Sequence, residues 1–377
     1  MLTRLVARDF RNFAQLDVSF PGYGLAIIGE NGHGKTNLLE AVSYLSLLRS
    51  MRGARDSDVL RFGASAFHIR AEIDAGTIGT VGVGYERQTK KKRASLDGVE
   101  QPRLTSALGA VPSVCFSPAD VVLVAGGPSE RRRFLDVALS LSSQQYLHAL
   151  QHYRAALARR NAALRLALRD GPRASGMHDA QVSVWEPSLA ESGGMISAMR
   201  SAFVRRHADT FSQLAAEIGE RVPVSLRYVS VAETLLSAPA AEAARAHAEI
   251  WSAAFEQHRA QELRRGITLV GPHRDELQLL LGGRELRTFG SAGQQRSAAI
   301  ALRLLELDTL HDALGTTPLL LLDDPFAELD TGRASRVLSL LERSGVGQVL
   351  LTVPRIEDIP DAFTRLERRV MRDGALT

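Results

Sequence analysis

Gly29, Gly34, Lys35 and Thr36 follow one another as G-x-x-x-x-G-K-T within "IIGENGHGKTNLLEAV", residues 27 to 42. This spacing suits the holding of phosphate. Glycines let consecutive N–H groups curl around an anion with no Cβ in the way, and the helix N-terminus that follows adds partial positive charge. Lys35 can then reach the β and γ phosphates of a nucleoside triphosphate, while the Thr36 hydroxyl can hold Mg²⁺. Glu30, Asn31, Gly32 and His33 inside the loop, and Asn37 just after it, complete the expected nucleotide-binding set. His33 stands at a variable position and reads as loop filler rather than a catalyst. Composition singles out Lys35 independently. The chain has 46 Lys plus Arg, yet lysine occurs only there and at Lys90, Lys91 and Lys92. A compact ammonium fits a phosphate cradle where a planar guanidinium does not.

Two further segments carry chemistry. In "LLLLDDPFAELD", residues 319 to 330, four leucines end in Asp323 and Asp324. A buried strand that delivers an acid at its tip can set a carboxylate beside phosphate-bound Mg²⁺. Asp323 is expected to serve the metal through water, and Asp324 to polarise the attacking water, which makes Asp324 and Lys35 the expected catalytic pair. Two adjacent acids could also cap a helix. In "FGSAGQQRSAAIALRLLEL", residues 289 to 307, a Ser-x-Gly-Gln pattern opens a long apolar helix, so its hydroxyl and N–H groups face an anion at a helix start. One subunit already has a phosphate-binding helix. A second makes sense if it faces another subunit's nucleotide, and a capped core helix is the plainer alternative.

These groups need a sheet to hold them. "LTRLVARDFRNF", "LDVSF", "GLAIIG", "AFHIRAEI" and "TVGVGYER" read as short strands around the loop helix, which indicates a mixed sheet. "YERQTKKKRASLDG" reads as a solvated hairpin or loop tip. From about residue 129 the chain turns Ala/Leu/Arg-rich and helical in period, and strand character returns near "ITLVGPHRDELQLLLGG". The expected fold is α/β, mixed sheets around a P-loop with an inserted, mainly helical second lobe. The expected divisions are 1–118 and 265–377 for the head and 119–264 for the lobe. A single cysteine, Cys115, excludes an internal disulfide framework and suits a reducing cytoplasm, and no apolar run is long enough to span a bilayer. A formal charge of +4 permits an acidic polymer as partner.

The P-loop, Ser291-Ala-Gly293-Gln294, the Leu run with Asp323 and Asp324, and "AELD", in this order, resemble the ABC-type ATPase superfamily. "FRNF", "FSPADVVLVAGGPSERRRFLD", "TLVGPHRDEL" and "GSAGQQRSAAIALRL" narrow the resemblance to the RecF family of bacterial recombination and repair ATPases. It extends from residue 4 to about residue 353. The resemblance implies an ABC-type head related to those of SMC proteins, carrying a compact helical lobe in place of a long coiled coil. It implies ATP and Mg²⁺ as cofactors and an ATP-dependent homodimer with each nucleotide between one subunit's P-loop and the other's signature, Ser291, Gly293 and Gln294. Glu328 and Asp330 would form the loop that communicates across the dimer. Members bind double-stranded DNA and single-strand/double-strand junctions, and work with RecR and RecO to load recombinase onto gaps. Asp324 departs from the pattern, standing where many relatives have glutamate, so hydrolysis is expected to be slow. No convincing Q-loop glutamine is visible, and the switch histidine is absent, with Thr352 the nearest polar residue.

For DNA, Arg49, Arg52 and Arg55 follow the loop helix and Arg131, Arg132 and Arg133 open the lobe, clusters suited to phosphate contact without base reading. His273, in "GPHRD", could sit in a hydrogen-bonded turn or couple nucleotide to the lobes. Two rival functions remain open from these residues. A transporter ATPase subunit would show the Q-loop glutamine and switch histidine. A DNA-binding structural module with little turnover would explain Asp324 in place of glutamate.

Overall fold

The computed structural model describes residues 1–74, 78–170, 175–232, 240–327, 329–345 and 347–377. The chain forms two compact units, Met1–Asp120 with Leu302–Thr377, and Val121–Ala301. The first begins with β1 (Leu2–Phe10), β2 (Phe13–Ser19), β3 (Gly24–Ile28), α1 (Lys35–Leu47), β4 (Ala66–Ile73), β5 (Thr80–Glu86), β6 (Lys91–Leu96), β7 (Val99–Glu100) and β8 (Ser113–Phe116). The second holds α2 (Val122–Ala125), α3 (Pro128–Ser142), α4 (Gln144–Asp170), α5 (Ser175–Ser183), α6 (Glu186–Ile218), β9 (Val224–Val229), α7 (Ala240–Arg265), β10 (Glu276–Leu281), β11 (Arg284–Glu285) and α8 (Leu286–Phe289). Helix α9 (Ala292–Leu314) runs from the second unit into the first, which ends with β12 (Leu319–Asp323), α10 (Thr331–Arg343), β13 (Val349–Val353), β14 (Glu367–Arg372) and β15 (Ala375–Leu376).

In the first unit, one antiparallel sheet has the order β2-β1-β4-β5-β6-β7, and a second, mostly parallel sheet the order β15-β14-β3-β13-β12-β8. The first sheet alternates on β1 and β4, where Leu5, Ala7, Phe67 and Ile69 are buried between more exposed neighbours, while β5 is buried from Val81 through Gly82 to Val83. Strands β3, β12 and β13 are buried nearly throughout, as parallel strands covered on both faces must be. Helix α1 packs against strands of both sheets, so Leu38, Leu39, Ala41, Val42, Tyr44 and Leu45 are all buried. That is why its apolar residues go nearly all round instead of forming one stripe. Tyr44 meets Phe10 and Phe67 edge-on, with ring centroids 5.9 and 5.4 Å away.

Of the hairpin or loop tip expected at "YERQTKKKRASLDG", the hairpin forms: β5 pairs with β6 from Glu86 and Lys91 onward, so strand reaches further than a loop tip would allow. Lys92 turns inward, its Nζ donating to Asp56 Oδ1 at 2.9 Å and to the Leu48 carbonyl at 2.8 Å. The stretch before β10 is the opposite case. Residues 267 to 275 form turns, and only Glu276–Leu281 is strand. That strand pairs with β9, which keeps it in the second unit. The units accordingly divide after residues 120 and 301, where the sequence reading divides the chain after 118 and 264.

The second unit is organised by buried polar groups as well as apolar ones. Arg200 donates to Asp136 Oδ1 at 2.7 Å, to the Tyr146 hydroxyl at 3.0 Å and to the Pro272 carbonyl at 2.7 Å. Asp275 accepts from the hydroxyls of Tyr228 and Ser197. Arg160, fully buried, lies between Glu186 at 2.8 Å and Glu262 at 2.7 Å. Gly194 on α6 has no room for a side chain, since a Cβ there would lie 2.4 Å from the Ala244 carbonyl oxygen on α7. Among the described residues no helix is long and apolar enough to cross a membrane.

"GPHRD" is therefore a hydrogen-bonded turn within this unit. His273 Nε2 faces the Thr268 carbonyl at 3.4 Å, and Nδ1 lies 2.6 Å from the Tyr153 hydroxyl. A carbonyl can only accept, so Nε2 carries the proton and Nδ1 accepts from Tyr153. Burial, aided by Arg274, Arg132 and Arg160, pushes the imidazole pKa down to about 4. The unfolded chain takes up this proton below pH 6.5 and the folded chain does not, so stability is complete above that pH and lost as pH falls toward 4. The loss is about 3 kcal/mol. Urea unfolding across this range should show a His273→Gln variant losing less stability than the wild type by about that amount, and parallel curves would contradict the assignment.

Candidate nucleotide site

Strand β3 ends at Ile28, the chain curls through Gly29 to Gly34, and α1 begins at Lys35. Gly32 and Gly34 have φ of +90° and +109°, left-handed values that a Cβ would strain. At Gly34 a Cβ would also fall 2.6 Å from Asn12 Nδ2. Asn12 is part of the loop's outer support: Nδ2 donates to the His33 carbonyl at 3.2 Å, and Oδ1 accepts from Asn37 Nδ2 at 2.8 Å. On the same side the turn between β14 and β15 grips His33. Its carbonyl accepts from the Gly374 N–H at 3.0 Å and its Nδ1 from the Asp373 N–H at 3.0 Å. His33 is thus an anchoring point, and neither it nor Asn12 owes this to a signal visible in the chain order.

Strands β12, β13 and β3 run parallel, with Asp323 opposite Thr352 and Thr352 opposite Ile27. Asp323 therefore emerges at the strand ends beside the start of α1. The Thr36 hydroxyl lies 2.9 Å from Asp323 Oδ1 and 3.0 Å from Oδ2, and the buried Thr352 hydroxyl donates to Oδ1 at 2.8 Å. Thr352, the nearest polar candidate for the switch position, orients the acid. Lys35 is 7% exposed, and its Nζ donates to the Gly29 carbonyl and, at 2.9 Å, to that of Glu30. Burial lowers its pKa, against the opposing pull of Asp323 and Asp324. Asp324 has φ +46° and a carboxyl raised above the usual range, first by burial, then by Asp323 and Asp358.

These groups line a cleft of about 290 Å³ whose described lining belongs entirely to the first unit. Asn31, Gly32, Gly34, Lys35, Thr36 and Asn37 face it from the loop and helix, with Asp323, Asp324 and Thr352 opposite. Of the remaining expected residues, Gly29 and Glu30 supply the carbonyls that hold Lys35. The oxygens suit Mg²⁺: a hydroxyl and a carboxylate within 3.0 Å of each other leave the other ligand positions to phosphate and water. No group of three or more His, Cys, Asp or Glu that could hold a metal occurs among the described residues, and a phosphate-bound Mg²⁺ needs none.

Arg52 also lines the cleft. It donates to Asn37 Oδ1 at 2.8 Å and to Glu40 Oε2 at 2.6 Å, and Arg11 meets the same Glu40 at 2.8 Å. Burial pushes the Glu40 carboxyl up, but hydrogen bonds from Arg11, Ser50 and Arg52 outweigh it and hold the pKa below the usual range. The signal for this cluster was a lone acid in the apolar helix "TNLLEAVSYL".

The expected DNA-facing set changes accordingly. Arg52 belongs to the nucleotide cleft. Arg131 is 4% exposed and committed to Glu276 at 2.8 Å and to the carbonyls of Val124 and Gly126, so it cannot meet a DNA phosphate. Arg132 is half-buried and donates to the Asp275 carbonyl at 2.8 Å. Arg49 and Arg133 are half-buried, and Arg55 is exposed. Clustered arginines in a sequence look alike whether they bind a polymer or their own fold.

Ser291 and Gln294 form a reciprocal cap. The Gln294 N–H donates to Ser291 Oγ at 3.3 Å, and the Ser291 N–H to Gln294 Oε1 at 2.9 Å, with Gly293 half-buried between them. Asp330 caps α10, its Oδ1 accepting from the Arg333 N–H at 2.9 Å. Glu328 lies outside the described residues.

No protein-family model matches the chain. Among curated proteins it is similar to the DNA replication and repair protein RecF of Streptomyces avermitilis, 38% identical over 367 residues, 95% of each chain. It is also 34% identical to RecF of Halalkalibacterium halodurans over 362 residues, 95% of this chain and 94% of the relative. Among solved structures, RecF bound to ATP in the RecFOR pathway aligns with TM-score 0.88 at 27% identity, covering 100% of this chain and 96% of that one. An SMC head bound to the C-terminal winged-helix domain of ScpA aligns with TM-score 0.52 at 16% identity, a likeness of fold. A mixed α/β head of the ABC ATPase type, a P-loop at a strand-to-helix turn and full-length similarity agree: the chain belongs to the RecF family of DNA replication and repair proteins.

Proposed function

We propose that the protein is a cytoplasmic, ATP-dependent DNA-binding protein of recombinational repair. It closes as a nucleotide-gated dimer on duplex DNA and gap junctions and helps load recombinase with RecO and RecR, turning ATP over slowly. The meeting of Thr36 with Asp323, 287 residues apart in the chain, carries the nucleotide part of this reading. It unites a phosphate-binding turn with the carboxylate that Mg²⁺ requires. Bound Mg²⁺ would neutralise charge on the phosphates. The loop N–H groups and Lys35 bind the triphosphate, Thr352 keeps Asp323 aimed, and Asp324, its carboxyl raised, takes a proton from water more readily than an ordinary aspartate. The partner subunit's Ser291-to-Gln294 helix start closes the site, which the cap already holds in shape. The family's repair role and the RecFOR pathway of the ATP-bound relative support the DNA and partner assignments.

Ser291→Arg tests the two-subunit site. A bulky cation at the helix start blocks closure while leaving its own P-loop intact, and losing the cap costs only about 1 kcal/mol. Equilibrium dialysis should find ATP binding retained, while light scattering finds ATP-dependent dimers lost and turnover falls at least tenfold. A variant that dimerises normally with ATP would refute the arrangement.

A further inference from the structure

The open face of the antiparallel sheet carries a basic strip. Arg8 on β1 lies opposite His68 on β4, and Arg70 follows two residues along, on the same face. All three are exposed, and among the described residues neither arginine has an acid partner. Arg4, further along β1, is by contrast bonded to Asp17 and Glu72. The neighbouring strand offers Gly84 opposite His68 and Gly82 opposite Arg70, and the Ser95 hydroxyl and the His68 ring close over the backbone at Gly82. The same ring lies 3.4 Å from where a Gly84 Cβ would stand. Packing there, and then the charges of Arg8 and Arg70, hold the imidazole below the usual histidine pKa.

Beside Arg8 the chain pins a turn. The Arg61 N–H donates to the Asp9 carbonyl at 2.8 Å, its Nε to Asp9 Oδ1 at 2.7 Å, and the Ala64 N–H returns to the Arg61 carbonyl at 3.0 Å. Gly63, at φ +83°, takes the position where a type II turn needs a positive value. Phe62, at the preceding corner, is 99% exposed. The turn that carries this bare ring is thus tied to Asp9, the residue after Arg8, and together they offer nucleic acid a ring for a base and unpaired cations for phosphates.

We propose that this face takes DNA at a single-strand/double-strand junction, with Arg8 and Arg70 on backbone phosphates and Phe62 stacked on the unpaired base beside the duplex end. This rests on the DNA-binding reading above and assigns its junction preference to one ring. Every base has a π-face, so the contact is indifferent to sequence, but a fully paired duplex has no free face to offer.

Anisotropy titrations of gapped and fully paired duplex, over a salt series with ATP, test it. Phe62→Ala should weaken binding to gapped DNA about tenfold and leave paired duplex unchanged, and Phe62→Trp should keep the wild-type preference. Arg8→Gln with Arg70→Gln should weaken both and lower the salt slope by about two. Retained ATP binding checks that each variant folds. If wild type and Phe62→Ala bind DNA with the same gapped-to-paired ratio, the stacking assignment is overturned while the DNA reading stands. If the wild type binds neither duplex, both fall together.

Discussion

Lys35→Ala should lose ATP binding by on the order of a hundredfold to ten-thousandfold while the protein stays folded. The Nζ donates to two loop carbonyls, so the side chain contributes charge and hydrogen bonds rather than apolar packing. Charge-assisted hydrogen bonds to phosphate contribute about 1.5–3 kcal/mol each, and two are lost together. Leaving two carbonyls short of a donor costs far less than the fold, because the loop is also held by Asn12 and by the turn at Asp373. Lys35→Arg should fail nearly as badly, since a planar guanidinium cannot take the place of a compact ammonium. Calorimetric titration with ATP, alongside thermal unfolding, checks both halves, and unchanged affinity would sink the P-loop assignment.

Asp324→Asn should cut ATP turnover about a hundredfold to ten-thousandfold, the usual contribution of a positioned base, with ATP binding intact and ATP-held dimers longer-lived. The substitution is well matched to the backbone. At φ +46°, residue 324 is in the left-handed region, which Asn and Asp tolerate better than most side chains. This also gives a physical reason for the shorter acid at a position where glutamate is the expected residue: Asp324→Glu would gain reach but meet backbone strain. Because the carboxyl is raised, wild-type turnover should fall as pH drops through a value above the ordinary aspartate range. A phosphate-release assay across pH checks it, and a normal rate in Asp324→Asn would assign the base elsewhere.

The nucleotide half of the site was legible because its chemistry is local. Gly29 to Thr36 and the Leu319-to-Asp324 strand each carry their own signal, and the family resemblance joined them in one site before the register of β12, β13 and β3 was known. The strands around α1 were legible for the same reason. Support that depends on distant partners was not: Asn12 beneath the loop, the β14–β15 turn on His33, and the Arg11–Glu40–Arg52 cluster are contacts no periodicity encodes. Arg131 misled because a cation's partner is set by the fold. The lobe boundary moved because β10 pairs back to β9, and pairing across a helix is invisible to composition.

Mixing Lys35→Ala protein with Ser291→Arg protein tests the central claim, a nucleotide held between two subunits, most directly. Each variant alone has no complete site. In a mixed dimer the intact P-loop of the Ser291→Arg chain faces the intact signature of the Lys35→Ala chain, so one complete site returns. Light scattering and phosphate release should therefore show ATP-dependent association and partial turnover in the mixture and in neither variant alone. A mixture as inactive as its components would mean that each subunit's signature serves its own nucleotide, and would contradict the account.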